Sequence, residues 1–348
     1  MLAEDLIQNW TRQGLVLPRN ESGAGSHVMG DPCIVWDEEI SNWRMILFSD
    51  PPGHGQAIHL GDPSEIGPGS WQFEGPLVFT NPEALPGGST HKPWVVMDPY
   101  RPNHPAKIDD HYLLVTVSLT RDNRKVIQQA RAERLAGPWT LEEDLIISAG
   151  EMADFDAKHV DSVTAYYFPD RQELHYFHMG YPHQAQARAV SPYGSAQGVA
   201  TRGLTEKTVT KLGVILEPCQ QTGHWASGWV GGLQILPGKE HRWIAIINAS
   251  PSAPNPQDKT IAREEPAPSL GGFAYCDEEW PVTNWQWYPE PIEWIEDLPP
   301  EALANGEGVN LWRQHILLLP DGSAALFYNS GFYGKEQMYL KKAGAGTV

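Results

Sequence analysis

Trp10-Thr11-Arg12-Gln13-Gly14-Leu15-Val16-Leu17-Pro18 stands near the start of the chain but has the form of an ending. A Trp or Thr segment followed by a short apolar run closes four stretches farther along. These are Trp71-Gln72-Phe73-Glu74-Gly75-Pro76-Leu77-Val78-Phe79, Trp139-Thr140-Leu141 through Leu145-Ile146-Ile147, Val209-Thr210-Lys211-Leu212-Gly213-Val214-Ile215-Leu216, and Trp285-Gln286-Trp287 through Ile292. Each follows paired apolar runs, such as Cys33–Trp36 with Met45–Phe48 or Val163–Phe168 with Leu174–His178. The joints between pairs, Pro169-Asp170-Arg171, Pro237-Gly238-Lys239 and Pro320-Asp321-Gly322 among them, are hairpin punctuation. First strands begin near Gly30, Lys92, His159, Gly228 and Leu311, a spacing of roughly 60 to 80 residues that marks a repeat architecture. The fifth unit runs out at Lys341-Lys342 without a closing segment. Trp10–Pro18 supplies it.

Five units of four strands predict an all-β fold, a five-bladed β-propeller formed as a single domain over 1–348. The N-terminal strand, about 10–18, completes the last blade and closes the ring, so no sheet edge is left free at the joint. A pair of open β-sandwiches would leave the repeated closing motif and its N-terminal complement unexplained.

The composition agrees. The 348 residues include 33 Gly, 30 Pro and 14 Trp, which favour strands and turns over helices. Ala3–Trp10 and Pro299–Asn305 are the only modest helical candidates. A net charge of −18 argues against nucleic acid, which needs clustered Lys and Arg. No apolar run approaches the roughly 18 residues of a membrane helix, so no membrane partner is expected. The acidic start Met1-Leu2-Ala3-Glu4-Asp5 lacks the basic and apolar regions of a signal peptide. The expectation is a cytoplasmic protein, or an exported one whose signal peptide is missing from this chain. Cys33, Cys219 and Cys276 read as buried free thiols.

In a propeller the innermost strands line the central channel, so polar residues at their starts converge. Aligning the units sets Asp31 beside His91-Lys92-Pro93, Asp161-Ser162-Val163, Val230-Gly231 and Arg313-Gln314. Asp31 either caps a turn or works in the channel. Asp161 precedes a strongly apolar strand and therefore needs a partner or a ligand. Two carboxylates across a channel suit glycoside cleavage by general acid/base chemistry. His224, just before the fourth inner strand, is the candidate proton donor. Trp94, Trp225, Trp229 and Trp312 offer aromatic faces to sugar rings or pack between blades. His91, Lys92, Trp94, His159, Trp225, Trp229, Arg313 and Gln314 form the expected substrate-binding set. Asp98 reads as a turn residue, Glu74 as part of an outer strand, and His178 as a satisfied interior side chain. No cofactor is required. No ligand spacing argues for a metal, although a channel-bound divalent cation would have room.

Gly30-Asp31-Pro32, Asp161-Ser162 and Tyr176-Phe177-His178-Met179-Gly180 together resemble the five-bladed β-propeller glycoside hydrolases. That superfamily takes in arabinanase, levansucrase and invertase relatives and the neoagarooligosaccharide hydrolases. The resemblance covers most of the chain in architecture through short motifs. Arabinanase-like members use Asp, Asp and a Glu of the third blade, and that Glu is not in register here. The pattern is more similar to neoagarooligosaccharide hydrolases, which use an Asp base, a second Asp and a His acid. Carried over in chain order, these are Asp31, Asp161 and His224. The resemblance implies cleavage of a terminal sugar from a short oligosaccharide, commonly with inversion. Two alternatives stand beside it. One is a glycoside phosphorylase, with Lys92, Lys158, His159, Arg101 and Arg313 available to hold phosphate. The other is a non-catalytic carbohydrate-binding propeller. A homodimer is allowed. Asp31→Asn and Asp161→Asn are each expected to abolish turnover and leave thermal stability nearly intact.

Overall fold

A computed structural model describes the chain apart from residues 3, 8, 20–27, 50–53, 61–64, 153, 183–193, 222, 252–268, 295–296, 305–306, 308–310, 332–334 and 345–348. Strand β1 (Trp10–Leu17) comes first. The first sheet follows as β2 (Met29–Asp37), β3 (Asn42–Ser49), β4 (His54–Leu60) and β5 (Trp71–Pro76). The second contains β6 (Thr90–Val95), β7 (Lys107–Ile108), β8 (His111–Leu119), β9 (Lys125–Ala132) and β10 (Thr140–Leu141), with β7 attached to the side of β8. The third is β11 (His159–Phe168), β12 (Glu173–Tyr181), β13 (Ala196–Gly203) and β14 (Thr210–Leu216). The fourth is β15 (Trp229–Pro237), β16 (Trp243–Ser250), β17 (Leu270–Cys276) and β18 (Gln286–Pro291). After a short helix α1 (Pro300–Ala304) come β19 (Leu311–Leu318), β20 (Ala324–Ser330) and β21 (Gln337–Ala343). Their sheet runs β1-β21-β20-β19, so its outer strand is the N-terminal one. The helical candidates shrink to a 3-10 turn at Glu4–Leu6 and to α1, and Ala3 and Asn305 lie outside the described residues.

The architecture is an all-β propeller. Each sheet presents one innermost strand: β2, β6, β11, β15 and β19. Each packs on the next, β2 on β6, β6 on β11, β11 on β15, β15 on β19, and β19 on β2. A strand held between two neighbours is buried on both faces. That is why β2 and β11 are buried along almost their whole length rather than at alternate residues. The outermost strands have one wet face. β14 alternates accordingly, with Leu212 and Val214 exposed. Close approach between sheets needs small residues at chosen points. The side-chain amide of Asn329 lies within 2.5 Å of where a Cβ on Gly30 would stand, so only glycine fits under it.

The joint between the two chain ends is ionic as well as hydrogen-bonded. On β1, Arg12 donates to Glu293 at 2.6 Å and lies 3.3 Å from Glu307. On β21, Lys341 meets the same Glu293 at 2.6 Å. On β20, Tyr328 donates its hydroxyl to Glu307 at 2.7 Å. Residues ahead of β1 continue the tie, because the Leu2 amide donates to the Pro237 carbonyl of the fourth sheet at 2.8 Å.

Two predictions follow from this packing. Arg12→Ala removes the cation that links β1 to Glu293 and Glu307. It should cost on the order of 1–3 kcal/mol, the range for a charged hydrogen-bonded group that is only partly exposed, read as a lower urea midpoint with an unchanged m-value. Unchanged stability would show that β1 is held by its ladder alone.

The second concerns acid. Burial lowers His91 to about 3, His175 to about 4 and His315 to about 3. In the unfolded chain each would titrate near 6.5. Below that pH the unfolded state takes up protons that the folded state refuses, so stability is fully present above about pH 6.5 and falls from there toward pH 4. A urea midpoint that stays level between pH 6.5 and pH 4 would contradict this.

Candidate active site

All five innermost strands carry the same irregularity. Between Gly30 and Cys33, β2 advances three residues while β3 advances two, from Phe48 to Ile46. The same three-for-two step lies between His91 and Trp94, Asp161 and Thr164, Val230 and Leu233, and Leu311 and Gln314. Each is a β-bulge, with one extra residue that bends the strand and re-aims its side chains. The first bulged residues are Asp31, Lys92, Ser162, Gly231 and Trp312. Asp31, Lys92 and Ser162 have φ of 52°, 55° and 45°. That left-handed backbone costs a non-glycine residue roughly 1 kcal/mol or more and persists where its surroundings enforce it.

The bulges correct the alignment expected from sequence. Asp31 is equivalent to Ser162, not to Asp161, which stands one residue earlier and matches Gly30 and His91. Arg313 stands one residue later, with Trp312 taking the place of Asp31. The readable signal was proline. Asp31-Pro32 and Lys92-Pro93 set a residue without an N–H at the second bulge position, one of the few places a strand accepts it.

Asp161 and Asp31 are brought into one charged cluster but held differently. Asp161 is fully buried. Its Oδ1 lies 2.9 Å from Lys92 Nζ and accepts the Ser162 amide at 2.7 Å, and its Oδ2 accepts from Lys125 Nζ. Burial pushes this carboxyl up, but Lys125 and Lys92 outweigh burial and hold it well below the usual carboxylate range. Asp31 is buried too and makes no hydrogen bond to another described residue. Burial raises it, Lys92 and Arg313 offset that only in part, and Asp161 adds to the rise. Two carboxylates of one cluster are thus pushed apart, the arrangement that separates acid and base roles.

Arg313 is buried behind them. It donates to the carbonyl oxygens of Lys92 (3.2 Å) and Val163, with its guanidinium 4.7 Å from the Trp94 ring centre. His91 sits in the same cluster and is kept neutral, first by burial and then by Lys125 and Lys92. His159 accepts the Lys125 amide on Nδ1 at 3.3 Å. Lys125 itself was missed. It opens a third strand, where nothing local marks it as a partner of Asp161.

Several expected site residues are placed elsewhere. His224 donates from Nε2 to the Tyr288 carbonyl at 3.1 Å and accepts the Ala226 amide on Nδ1 at 3.1 Å. None of its bonds or charge interactions among the described residues reaches Asp31 or Asp161. A proton donor needs an N–H aimed at the leaving oxygen, and this one is spent on the backbone. Trp94 and Trp225 are fully buried and Trp229 nearly so, which leaves no open face for a sugar. Trp94 donates to the Ala165 carbonyl and Trp225 to that of Tyr288, so both serve packing. Trp312, only partly buried, stacks on Trp229 at 6.1 Å. Gln314 is buried against Gly271, and neither end of its amide has a hydrogen-bond partner among the described residues.

Arg101 is exposed and bound to Glu38, outside the cluster. Asp98 accepts the Tyr100 amide in a turn, Glu74 pairs with Arg44 at the outer edge of its sheet, and His178 meets Asp156 in the interior at 3.2 Å. Among the described residues no group of three or more His, Cys, Asp and Glu could hold a metal ion. No helix among them is long and apolar enough to cross a membrane.

No protein-family model and no curated protein matches the sequence. Solved structures match the fold. An endo-arabinase from Bacteroides thetaiotaomicron superposes with a TM-score of 0.63 at 12% identity, over 94% of this chain and 96% of that one. A structure from the GH130 family of mannoside phosphorylases, which contains glycoside hydrolases that target β-1,2 mannosidic linkages in Candida mannan, gives 0.61 at 12% identity over 100% and 97%. The catalytic domain of a GH62 α-L-arabinofuranosidase from Coprinopsis cinerea gives 0.57 at 10% identity over 97% and 98%.

The different holding of the two carboxylates alters the expectation that both Asn variants stay stable. Asp161→Asn leaves two ammonium groups without their anion. It should cost on the order of 2–4 kcal/mol, less than a fully buried pair because both lysines can turn toward water. Asp31→Asn removes a carboxylate that has no hydrogen bond to another described residue and should change stability by less than about 1 kcal/mol. Equal losses in urea unfolding would refute the distinction.

Proposed function

We propose that the chain is a glycoside-cleaving enzyme that releases a terminal sugar from a short oligosaccharide at the Asp31–Asp161 cluster. In this reading the five sheets are five blades of one ring over 1–348, closed where β1 joins β21. The observation that carries it is the pair of buried carboxylates in one charged cluster, one clamped by two lysines and the other without a hydrogen bond to another described residue. The fold likeness to glycoside hydrolases and mannoside phosphorylases supports the enzyme class.

Asp31 is the proton-transfer carboxyl, because a raised value brings it toward the pH at which it works. Asp161 stays ionised throughout and opposes the positive charge that develops on the sugar ring. Cleavage from the chain end with inversion is the outcome that the resemblance implies. In this reading Trp312, which is only partly buried, takes the sugar-contacting role expected of Trp94, Trp225 and Trp229.

The test is a release assay over nitrophenyl glycosides and plant or algal oligosaccharides, with and without inorganic phosphate. NMR of the first-formed anomer reads the stereochemistry. Asp31→Asn should lower kcat by about a thousandfold or more, at the upper end of what one positioned acid or base supplies. Full activity in that variant would remove Asp31 from the chemistry. Sugar binding without cleavage, unchanged by Asp31→Asn, would favour a carbohydrate-binding propeller instead.

A further inference from the structure

Arg313 starts on the fifth sheet and ends between the second and the third. It occupies the second bulge position of β19 and is buried. Its Nη1 donates to the Lys92 carbonyl at 3.2 Å and its Nη2 to that of Val163. Both carbonyls belong to bulged residues, one on β6 and one on β11. A bulge takes a residue out of its ladder, so the backbone groups there need partners from elsewhere. One guanidinium supplies them to two sheets at once. Its face rests on the Trp94 ring as well.

The backbone of Arg313 is bulged too, and its amide donates to Asn329 Oδ1 at 3.0 Å. Asn329 stands on β20 between Tyr328 and Ser330, the residues paired on either side of the β19 bulge. The amide nitrogen of the same side chain lies under Gly30, just ahead of Asp31. Arg313 and Asn329 together therefore touch the bulges of the second, third and fifth innermost strands and the start of the first. The fourth is capped separately, by Gln197 Nε2 donating to the Gly231 carbonyl.

Among the described residues, none of the hydrogen bonds of Arg313 goes to a carboxylate. Its donors serve backbone, which sets aside the expected role as a substrate or phosphate ligand. The two bulges that it joins are the ones that carry Lys92 and, one residue ahead, Asp161, whose ion pair is 2.9 Å long. A lysine would not do the same work, because an ammonium is a point donor and a guanidinium is a rigid fork.

We infer that Arg313 is a positioning residue: with Asn329 it ties the innermost bulges together and holds Lys92 on Asp161. The tie stands on these contacts alone. Its effect on turnover rests on the reading of the Asp31–Asp161 cluster as the reaction site.

Two measurements on the full chain test it. In the first, lysines are labelled with a limiting amine-reactive ester and read by peptide mass spectrometry. Arg313→Met should speed labelling of Lys92 about threefold or more, since local release exposes its amine. Lys341, buried in the far ion pair with Glu293, should stay within about twofold and so reports general loosening. Arg313→Lys keeps a cation without the fork and should label at Lys92 as Arg313→Met does. Should Arg313→Met fail to fold, Asn329→Ala, which loses only the acceptor of the Arg313 amide, should speed Lys92 labelling about twofold. Unchanged Lys92 labelling overturns the proposal. So does an equal rise at Lys341, which would make the role merely structural, and so does parent-like labelling in Arg313→Lys.

The second measurement is steady-state kinetics on the substrate found in the release assay. Arg313→Met should lower kcat about tenfold to a hundredfold and move KM by less than about twofold. A raised KM at unchanged kcat would make Arg313 a sugar ligand and end the positioning role. Absence of turnover on every substrate in the parent would sink the glycosidase reading, and the labelling result would still decide the tie.

Discussion

One extra residue in each innermost strand sets the geometry of the charged cluster. A regular strand would send successive side chains to alternate faces, and both faces of β2, β6, β11, β15 and β19 are packed against neighbours. There would be no direction left for a polar group. The bulge breaks the alternation once per sheet, at the equivalent residues Asp31, Lys92, Ser162, Gly231 and Trp312. They are an acid, a base, a hydroxyl, a glycine and an indole. Three of the five hold left-handed backbone to do it, and that cost is met by the strands on either side.

The electrostatics follow from this crowding. Charges close together in a dry place cannot be set independently. Asp161 can stay ionised while buried only because Lys92 and Lys125 reach it from different strands of the next sheet. The same lysines help keep His91 neutral. Asp31 feels Lys92 and Arg313 at a distance, with no hydrogen bond to another described residue, so burial wins and its carboxyl rises. Opposite shifts in neighbouring acids thus come from one feature, the number of donors each can touch.

The outer rim is solved by different means. A sheet edge invites another strand, and β1 covers the edge of β21 with residues from the opposite end of the chain. Arg12 adds ion pairs to Glu293 and Glu307 on the loops between the fourth and fifth sheets, so the covering strand is pinned sideways as well as along its ladder.

Much of this was legible in the chain. Paired apolar runs, Pro and Gly joints, and a closing segment that appears out of place at Trp10–Pro18 are local signals, because turn chemistry and strand alternation act over a few residues. They located the innermost strands and the N-terminal partner of β21, and they marked out Asp31 and Asp161 without the register that relates them. The register of the bulges, the arrival of Lys125, the engagement of His224 with Tyr288 and the burial of Trp94 and Trp225 were decided only by tertiary structure. Those depend on which atoms meet across sheets, between residues dozens of positions apart. A strand pattern has a period of two and says which face a residue takes, but an inserted residue shifts that phase silently. A lysine at the start of a third strand looks like any surface lysine until the neighbouring sheet brings a buried carboxylate within reach of its ammonium group.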